Sequence, residues 1–80
     1  MNDKTIFERI TELSDEELRL EAEMAVDSKS PGTRDRLGSI EVELDQCWDL
    51  LRQRRARRSA GQDPEEATVR PGNVVENYHR

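Results

Sequence analysis

The chain has 80 residues, of which 32% are hydrophobic and 39% charged, and its formal net charge is −5. This length allows one small domain at most, and so little apolar material predicts a thin core. Aromatic residues make up only 4% of the chain, which argues against a large ligand pocket and against base stacking on single-stranded nucleic acid. The composition therefore argues against an enzyme, and we expect no cofactor.

The single cysteine cannot form an internal disulfide, and the sequence has no apolar run of the ~18 residues from which a membrane-spanning helix is predicted. The negative net charge also disfavours general attraction to anionic lipid or to phosphate backbones. We therefore predict a cytoplasmic protein that does not associate with membranes.

The first periodic segment predicts a helix over about residues 3–26. Its apolar residues alternate at spacings of four and three, with Glu17 as the polar member of the series, and they are Ile6, Ile10, Leu13, Leu20 and Met24. This spacing places them on one helix face. Asn2, Asp3 or the capping-box pattern Thr5-Ile6-Phe7-Glu8 marks the start. Ser14-Asp15-Glu16-Glu17 has the same pattern, so a break there stays open. We favour one continuous helix because the stripe runs in phase across it.

Turn-forming residues separate this segment from a second helix. Within residues 27–33, Pro31 disfavours a helical conformation in the residue before it, and Gly32 is free to adopt a positive φ. A second helix is predicted over about residues 34–60 and ends near Gly61, because apolar residues again follow a three-four spacing without an intervening proline. These residues are Leu37, Ile40, Leu44, Cys47, Trp48 and Leu51. Residues 1–60 should then form an antiparallel helical hairpin.

The C-terminal residues 61–80 lack a long periodic pattern. Asp63-Pro64-Glu65-Glu66 has the composition of a helix start, but Pro71-Gly72 allows only a short helical turn, at about residues 64–68. The rest is expected to be extended or loosely docked through its apolar residues, which are Val69, Val74, Val75 and Tyr78. Whether this tail docks on the hairpin is left open by the sequence.

The fold class predicted from these segments is all-α, a long antiparallel helical hairpin with a short, partly irregular tail. Two packed helices leave each apolar stripe half open, whereas two hairpins joined into a four-helix bundle close it, which is a common solution for scaffolds this small. We therefore expect a homodimer. The candidate face for self-association or for a protein partner consists of Ile6, Ile10, Leu13, Leu37, Ile40, Leu44, Trp48 and Leu51.

A dense arginine run ends the second helix and forms a candidate basic patch of Arg52, Arg54, Arg55, Arg57 and Arg58. Guanidinium groups pair with phosphate, so the patch could contact nucleic acid. It could also dock a protein partner. A structural role is the third interpretation, because an antiparallel register sets the run beside Asp3, Glu8 and Glu12, and cations suit a helix C-terminus. We favour pairing within the hairpin and keep nucleic-acid binding as the alternative.

Three other features carry a chemical interpretation and a plainer structural one. Cys47 lies on the apolar stripe without a neighbouring histidine, so we interpret it as a core residue rather than a nucleophile or redox sensor. Trp48 is either the largest core residue of the bundle or an anchor for another protein, and we favour the bundle core. Glu76-Asn77-Tyr78-His79 matches the pattern Glu-x-x-His, but a carboxylate-bridged metal site needs two such motifs inside a bundle. We therefore predict no metal site.

The run Leu44–Arg58, together with Gly61-Gln62-Asp63-Pro64, Val69-Arg70-Pro71 and Val75-Glu76-Asn77-Tyr78, resembles a family of small actinobacterial proteins known as domain of unknown function number 2630. The resemblance spans almost the whole chain and is most specific from Leu44 onward. It implies a bacterial cytoplasmic protein whose whole chain is one unit, and it implies no activity. Family members often carry a histidine in the first helix where this chain has Leu18, so no histidine-based role is implied here.

Composition, periodicity and resemblance lead to the same functional expectation. We predict a small cytoplasmic helical protein that is a structural or protein-interaction module and that self-associates. The alternative is a nucleic-acid or ribonucleoprotein binder that uses the arginine-rich end of the second helix. Exposed, unpaired guanidinium groups would favour the alternative, whereas guanidinium groups paired with acidic residues of the first helix would favour the structural interpretation.

Overall fold

Two long helices packed against each other make up most of the protein. The computed structural model describes residues 2–27 and 30–72, and within them α1 spans Asp3–Val26, α2 spans Pro31–Ser59, and a short 3₁₀ turn spans Pro64–Glu66. The predicted all-α helical hairpin is thus confirmed. Pairing of two hairpins into a four-helix bundle stays a prediction.

The first helix is continuous and begins at a side-chain cap. The Asn2 Oδ1 atom accepts a hydrogen bond from the Thr5 backbone N–H at 2.8 Å, which satisfies one of the amide groups left free in the first helical turn. No break occurs near Ser14, because α1 runs to Val26 in one piece. The second capping-box pattern therefore does not start a new helix, as the in-phase apolar stripe predicted.

The second helix begins at Pro31, earlier than the expected residue 34. Ser30 is its N-cap, and Pro31 occupies the first helical position, where a missing N–H costs nothing and a fixed φ suits the helix. Pro31 therefore starts the helix instead of belonging to the turn. The turn residues 28 and 29 lie outside the described part of the chain.

A glycine ends the second helix. Gly61 has a φ of +72°, its N–H donates to the Arg58 carbonyl at 3.2 Å, and the Gln62 N–H donates to the Arg57 carbonyl at 2.8 Å. This pair of bonds is the Schellman arrangement, in which a left-handed residue just past the helix satisfies its last carbonyl groups. The chain then reverses direction.

The core between the helices consists of two apolar clusters. One contains Ile6, Ile10 and Leu50, and the other contains Leu13, Leu20 and Ile40. Leu44 and Cys47 pack against both clusters, so the core is continuous along the hairpin. Leu50, which is 5% exposed, was not part of the predicted stripe.

Residues 63–72, here called the strap, return along α2 and cover one flank of the hairpin. The Gln53 side chain donates to the Thr68 carbonyl at 2.8 Å, and the Gln46 side chain donates to the Arg70 carbonyl at 3.1 Å. Ala67 packs against the core cluster that contains Ile6. The strap therefore docks on the hairpin and acts as a third layer. Val74, Val75 and Tyr78, which were expected to help dock the tail, lie outside the described residues.

Candidate functional site

The structure divides the predicted interaction face between the core and the surface. Ile6, Leu13 and Ile40 are fully buried and Ile10 is 8% exposed, so these residues hold the two helices of one hairpin together. They are unavailable to a partner, which corrects their assignment to a contact face. The four remaining members of the face stay at least partly accessible, and they are Leu37, Leu44, Trp48 and Leu51.

Trp48 lies at the surface and pairs with Phe7 of the first helix. The two rings meet edge to face, with centroids 6.1 Å apart and an angle of 78° between their planes. Trp48 is 44% exposed and Phe7 is 50% exposed. Trp48 therefore does not belong to the core of a single hairpin, because the stripe of α2 is wider than the surface that α1 covers. Its expected place in the core of a four-helix bundle stays a prediction.

The two rings line a groove with a volume of about 370 Å³. We call it the aromatic groove, and its lining residues are Asp3, Phe7, Trp48, Leu51, Arg52, Arg55 and Arg58. At 3.6 residues per turn, Trp48 points away from Gln46 and Gln53, which hold the strap on the other flank of α2. The groove thus combines apolar and basic side chains with the Asp3 carboxylate, on the flank that the strap leaves open.

Most of the predicted basic patch is engaged in ion pairs. Arg54 is only 5% exposed, and its guanidinium group donates to Asp3, to Glu65 at 3.1 Å and to the Pro64 carbonyl at 3.2 Å. Arg58 donates to the other oxygen of Asp3 at 2.8 Å. The hydrogen bonds from Arg54 and Arg58 lower the pKa of Asp3. The arginine run therefore binds the start of α1 and the start of the strap to the end of α2.

The other three arginines of the run have different environments. Arg57 lies 3.3 Å from Glu66 in the strap, and Arg52 lies 3.8 Å from Asp49 one turn earlier. Arg55 is exposed and, within the part of the chain that the structure describes, forms no ion pair. The run is thus not a uniform free patch.

Two of the three expected acidic partners are engaged elsewhere. The Glu8 carboxylate lies 4.0 Å from the Lys4 ammonium group, and the Glu12 carboxylate lies 3.3 Å from the Arg9 guanidinium group. Both pairs lie within α1, at the spacings of three and four residues at which side chains on a helix meet. The expected pairing with the arginine run was right for Asp3 and wrong for Glu8 and Glu12.

A buried carboxylate that was not predicted from the sequence anchors the strap. The Asp49 side chain is fully buried and accepts two hydrogen bonds from the Arg70 guanidinium group, one of them at 2.8 Å. Gln53 donates a further bond at 2.9 Å. The hydrogen bonds from Arg70 lower the pKa of Asp49 although burial opposes them. The one available signal was an aspartate between Trp48 and Leu50, inside an apolar segment.

Further ion pairs fix the two helices on the strap side. Arg36 donates two hydrogen bonds of 2.8 Å to the Glu16 carboxylate, and Arg9 donates to Glu43 at 2.7 Å. The bonds from Arg36 lower the pKa of Glu16. Both pairs join α1 to α2 and specify their alignment.

Cys47 is half-buried and packs against both core clusters. Burial raises the pKa of its thiol, which lowers the fraction of reactive thiolate at neutral pH. These surroundings suit the predicted packing role. A small apolar cavity of about 100 Å³ adjoins it on the strap side, between Leu50 and Val69.

Neither a metal centre nor a membrane span is visible in residues 2–27 and 30–72. These residues hold no cluster of three histidine, cysteine or acidic side chains arranged to bind a metal ion, and the Glu76-x-x-His79 motif lies outside them. Their two helices also lack a stretch both long and apolar enough to cross a bilayer.

Comparison with known proteins identifies similar chains of unknown function. The sequence model of the family described as "Protein of unknown function (DUF2630)" matches residues 2–80. Uncharacterized protein Mb0922c of Mycobacterium bovis and uncharacterized protein Rv0898c of Mycobacterium tuberculosis are each 48% identical to this chain over 77 residues, which are 95% of this chain and 88% of theirs. No solved structure is detectably similar to the chain.

Proposed function

For this chain, which belongs to the DUF2630 family of proteins of unknown function, we propose a function as a structural module of the bacterial cytoplasm that self-associates through the aromatic groove. The observation that carries the proposal is the exposed pair of Phe7 and Trp48. The chain has only three aromatic residues, and two of them meet edge to face at the surface. The proposal involves no catalysed reaction and no cofactor.

Burial of this pair would be favourable. Fully covering a large apolar side chain contributes about 1.5–3 kcal/mol, and aromatic anchors beside arginine are the residue types that dominate protein interfaces. The strap closes one flank of the hairpin, whereas Leu37, Leu44 and Leu51 are only half-buried on the other side. A second layer of helices over that side would complete the four-helix arrangement.

Sedimentation equilibrium tests the proposal. We expect a dimer at micromolar concentration, and we expect Trp48→Ala to shift the protein to monomer while circular dichroism shows that its helices are retained. Val26→Ala is the matched control, because Val26 is 91% exposed at the end of α1 and lies far from the groove. A cooperatively folded monomer of the natural sequence at that concentration would contradict self-association.

Nucleic-acid binding remains the second candidate function, and the exposed Arg55 in the lining of the groove is the observation in its favour. The pairing of Arg54, Arg57 and Arg58 with acidic residues reduces the number of guanidinium groups that could bind phosphate. The net charge of −5 also opposes approach to a polyanion. Self-association is therefore the better supported proposal.

A further inference from the structure

The flank of α2 that borders the aromatic groove has a self-complementary charge pattern. At three-four spacing its residues are Leu37, Glu41, Leu44, Trp48, Leu51 and Arg55. An acidic residue lies seven positions before Trp48, and a basic residue lies seven positions after it. Such a pattern matches a second copy of itself when the two helices run in opposite directions.

We propose that two copies of the chain pack α2 against α2 in antiparallel orientation, with the two-fold axis beside Trp48. This inference rests on the self-association proposed above and adds the register. In this register, two residues that face each other across the dimer have numbers that add up to about 96, which is twice 48, because Trp48 faces its own symmetry mate. Each Trp48 packs near its symmetry mate, and Leu44 of one copy meets Leu51 of the other.

The charges select this register. It places Arg55 of each copy opposite Glu41 of the other, and opposite charges at facing positions set the partner and orientation in helix pairs. Glu41 and Arg55 are both exposed, and neither forms an ion pair in residues 2–27 and 30–72. Both are therefore available to an intermolecular pair. The antiparallel pairing also brings Arg52 close to Asp45 of the other copy.

Other arrangements match the charges less well. In a parallel dimer, whose two-fold axis runs along the hairpin, the two arginine-rich ends would lie side by side. Like charges that face each other are destabilising. A phosphate-bearing partner along the flank would meet the carboxylates of Glu41 and Asp45. An antiparallel second copy avoids both conflicts.

A charge swap tests the register. By sedimentation equilibrium, Arg55→Glu and Glu41→Arg should each weaken the dimer by roughly tenfold, because each pair occurs twice across a two-fold axis. The double variant should restore the affinity to within roughly threefold of the natural protein. Asp35→Arg is the matched control, since Asp35 is exposed on α2 but helical spacing places it on the strap side. It should leave the dimer unchanged.

Disulfide cross-linking gives an independent readout. In a Cys47→Ala background, a mixture of Glu41→Cys and Arg55→Cys chains should form mixed disulfides under mild oxidation. Neither variant alone should do so, because like positions lie about 21 Å apart along the antiparallel pair at ~1.5 Å per residue. A dimer without rescue by the double variant and without mixed disulfides would overturn this register and leave the proposed function standing. A monomer at all concentrations would overturn both.

Discussion

At the scale of single residues, neighbours in the sequence have opposite environments. Trp48 is 44% exposed, whereas Asp49 is fully buried and Leu50 is 5% exposed. The burial of Asp49 is stable only because its carboxylate accepts hydrogen bonds from Arg70 and Gln53, since an unpaired buried charge would be costly. The Trp48 ring, by contrast, stays at the surface, where it meets the Phe7 ring edge to face.

Gly61 is a residue whose replacement has a predictable cost. Its φ of +72° strains any L-residue with a side chain, so Gly61→Ala should lower the free energy of unfolding by about 1 kcal/mol. Gly38→Ala is the matched control. Gly38 lies inside α2, and an added Cβ would meet no atom within 4 Å, so this change should raise stability by about 0.5–1 kcal/mol. Urea denaturation measures both, and equal effects of the two changes would contradict the role of the left-handed conformation.

At the scale of elements, the strap packs on the hairpin in the place where a third helix could lie. Its backbone carbonyl groups accept hydrogen bonds from Gln46 and Gln53 on α2, so an irregular segment satisfies its polar groups without regular secondary structure. A Cβ added at Gly72 would lie 2.5 Å from the Val42 side chain, which shows how closely the strap approaches the helix. Ion pairs of Arg54 and Arg57 with Glu65 and Glu66 hold its other end.

The Asp49–Arg70 pair is expected to control how firmly the strap docks. Asp49→Asn keeps the shape of the side chain and removes its charge, so it should lower the free energy of unfolding at pH 7 by about 2 kcal/mol. Amide hydrogen exchange of residues 67–70 should accelerate in this variant. Asp35→Asn, at an exposed position of α2, is the control and should have little effect. Unchanged exchange in the strap would contradict the anchoring role of Asp49.

The pH dependence of stability follows from the same carboxylate. The pKa of Asp49 is lowered in the folded protein from its ordinary value of 3.8, so its stabilising contribution is present above that value and is lost as the pH falls through the lowered folded pKa. Asp3 and Glu16, whose pKa values are also lowered, act in the same direction. The natural protein should thus lose more stability between pH 5 and pH 2 than Asp49→Asn does, as measured by urea denaturation.

At the scale of the whole molecule, ion pairs between segments distant in sequence limit the attraction of the arginine run for phosphate. Asp3 binds Arg54 and Arg58 across the hairpin, and the strap supplies Glu65 and Glu66. The basic residues are therefore largely neutralised by the fold, and the whole chain keeps its net charge of −5.

Binding to nucleic acid should consequently be weak. In fluorescence anisotropy with mixed-sequence DNA or RNA at about 0.15 M salt, we expect binding weaker than that of typical non-specific binders, whose Kd is ~10⁻⁴ to 10⁻⁶ M. Micromolar binding that falls steeply with salt would contradict this expectation. If Arg55→Gln abolished that binding while Arg19→Gln, an exposed control on α1, did not, the nucleic-acid role would replace self-association as the favoured function.

The sequence alone was sufficient for features that depend on local interactions. The three-four spacing of Ile6, Ile10 and Leu13 predicted the core face of α1, and Gly61 predicted the end of α2, because helix periodicity and the freedom of glycine act within a few residues. The same local rules were misapplied at Pro31, which starts a helix as readily as it interrupts one. The register near Asp3 also followed from simple antiparallel geometry.

Only the tertiary structure decided which parts of α2 are covered and which are open. Periodicity gives the direction of the apolar stripe but not its width, so it could not separate the buried Leu50 from the exposed Trp48. That separation depends on where the strap lies, and the strap is held by pairs such as Asp49–Arg70, which are 21 positions apart in sequence. Hydrogen bonds at such separations leave no local periodic signal, because they form only when the folded chain brings the two residues together.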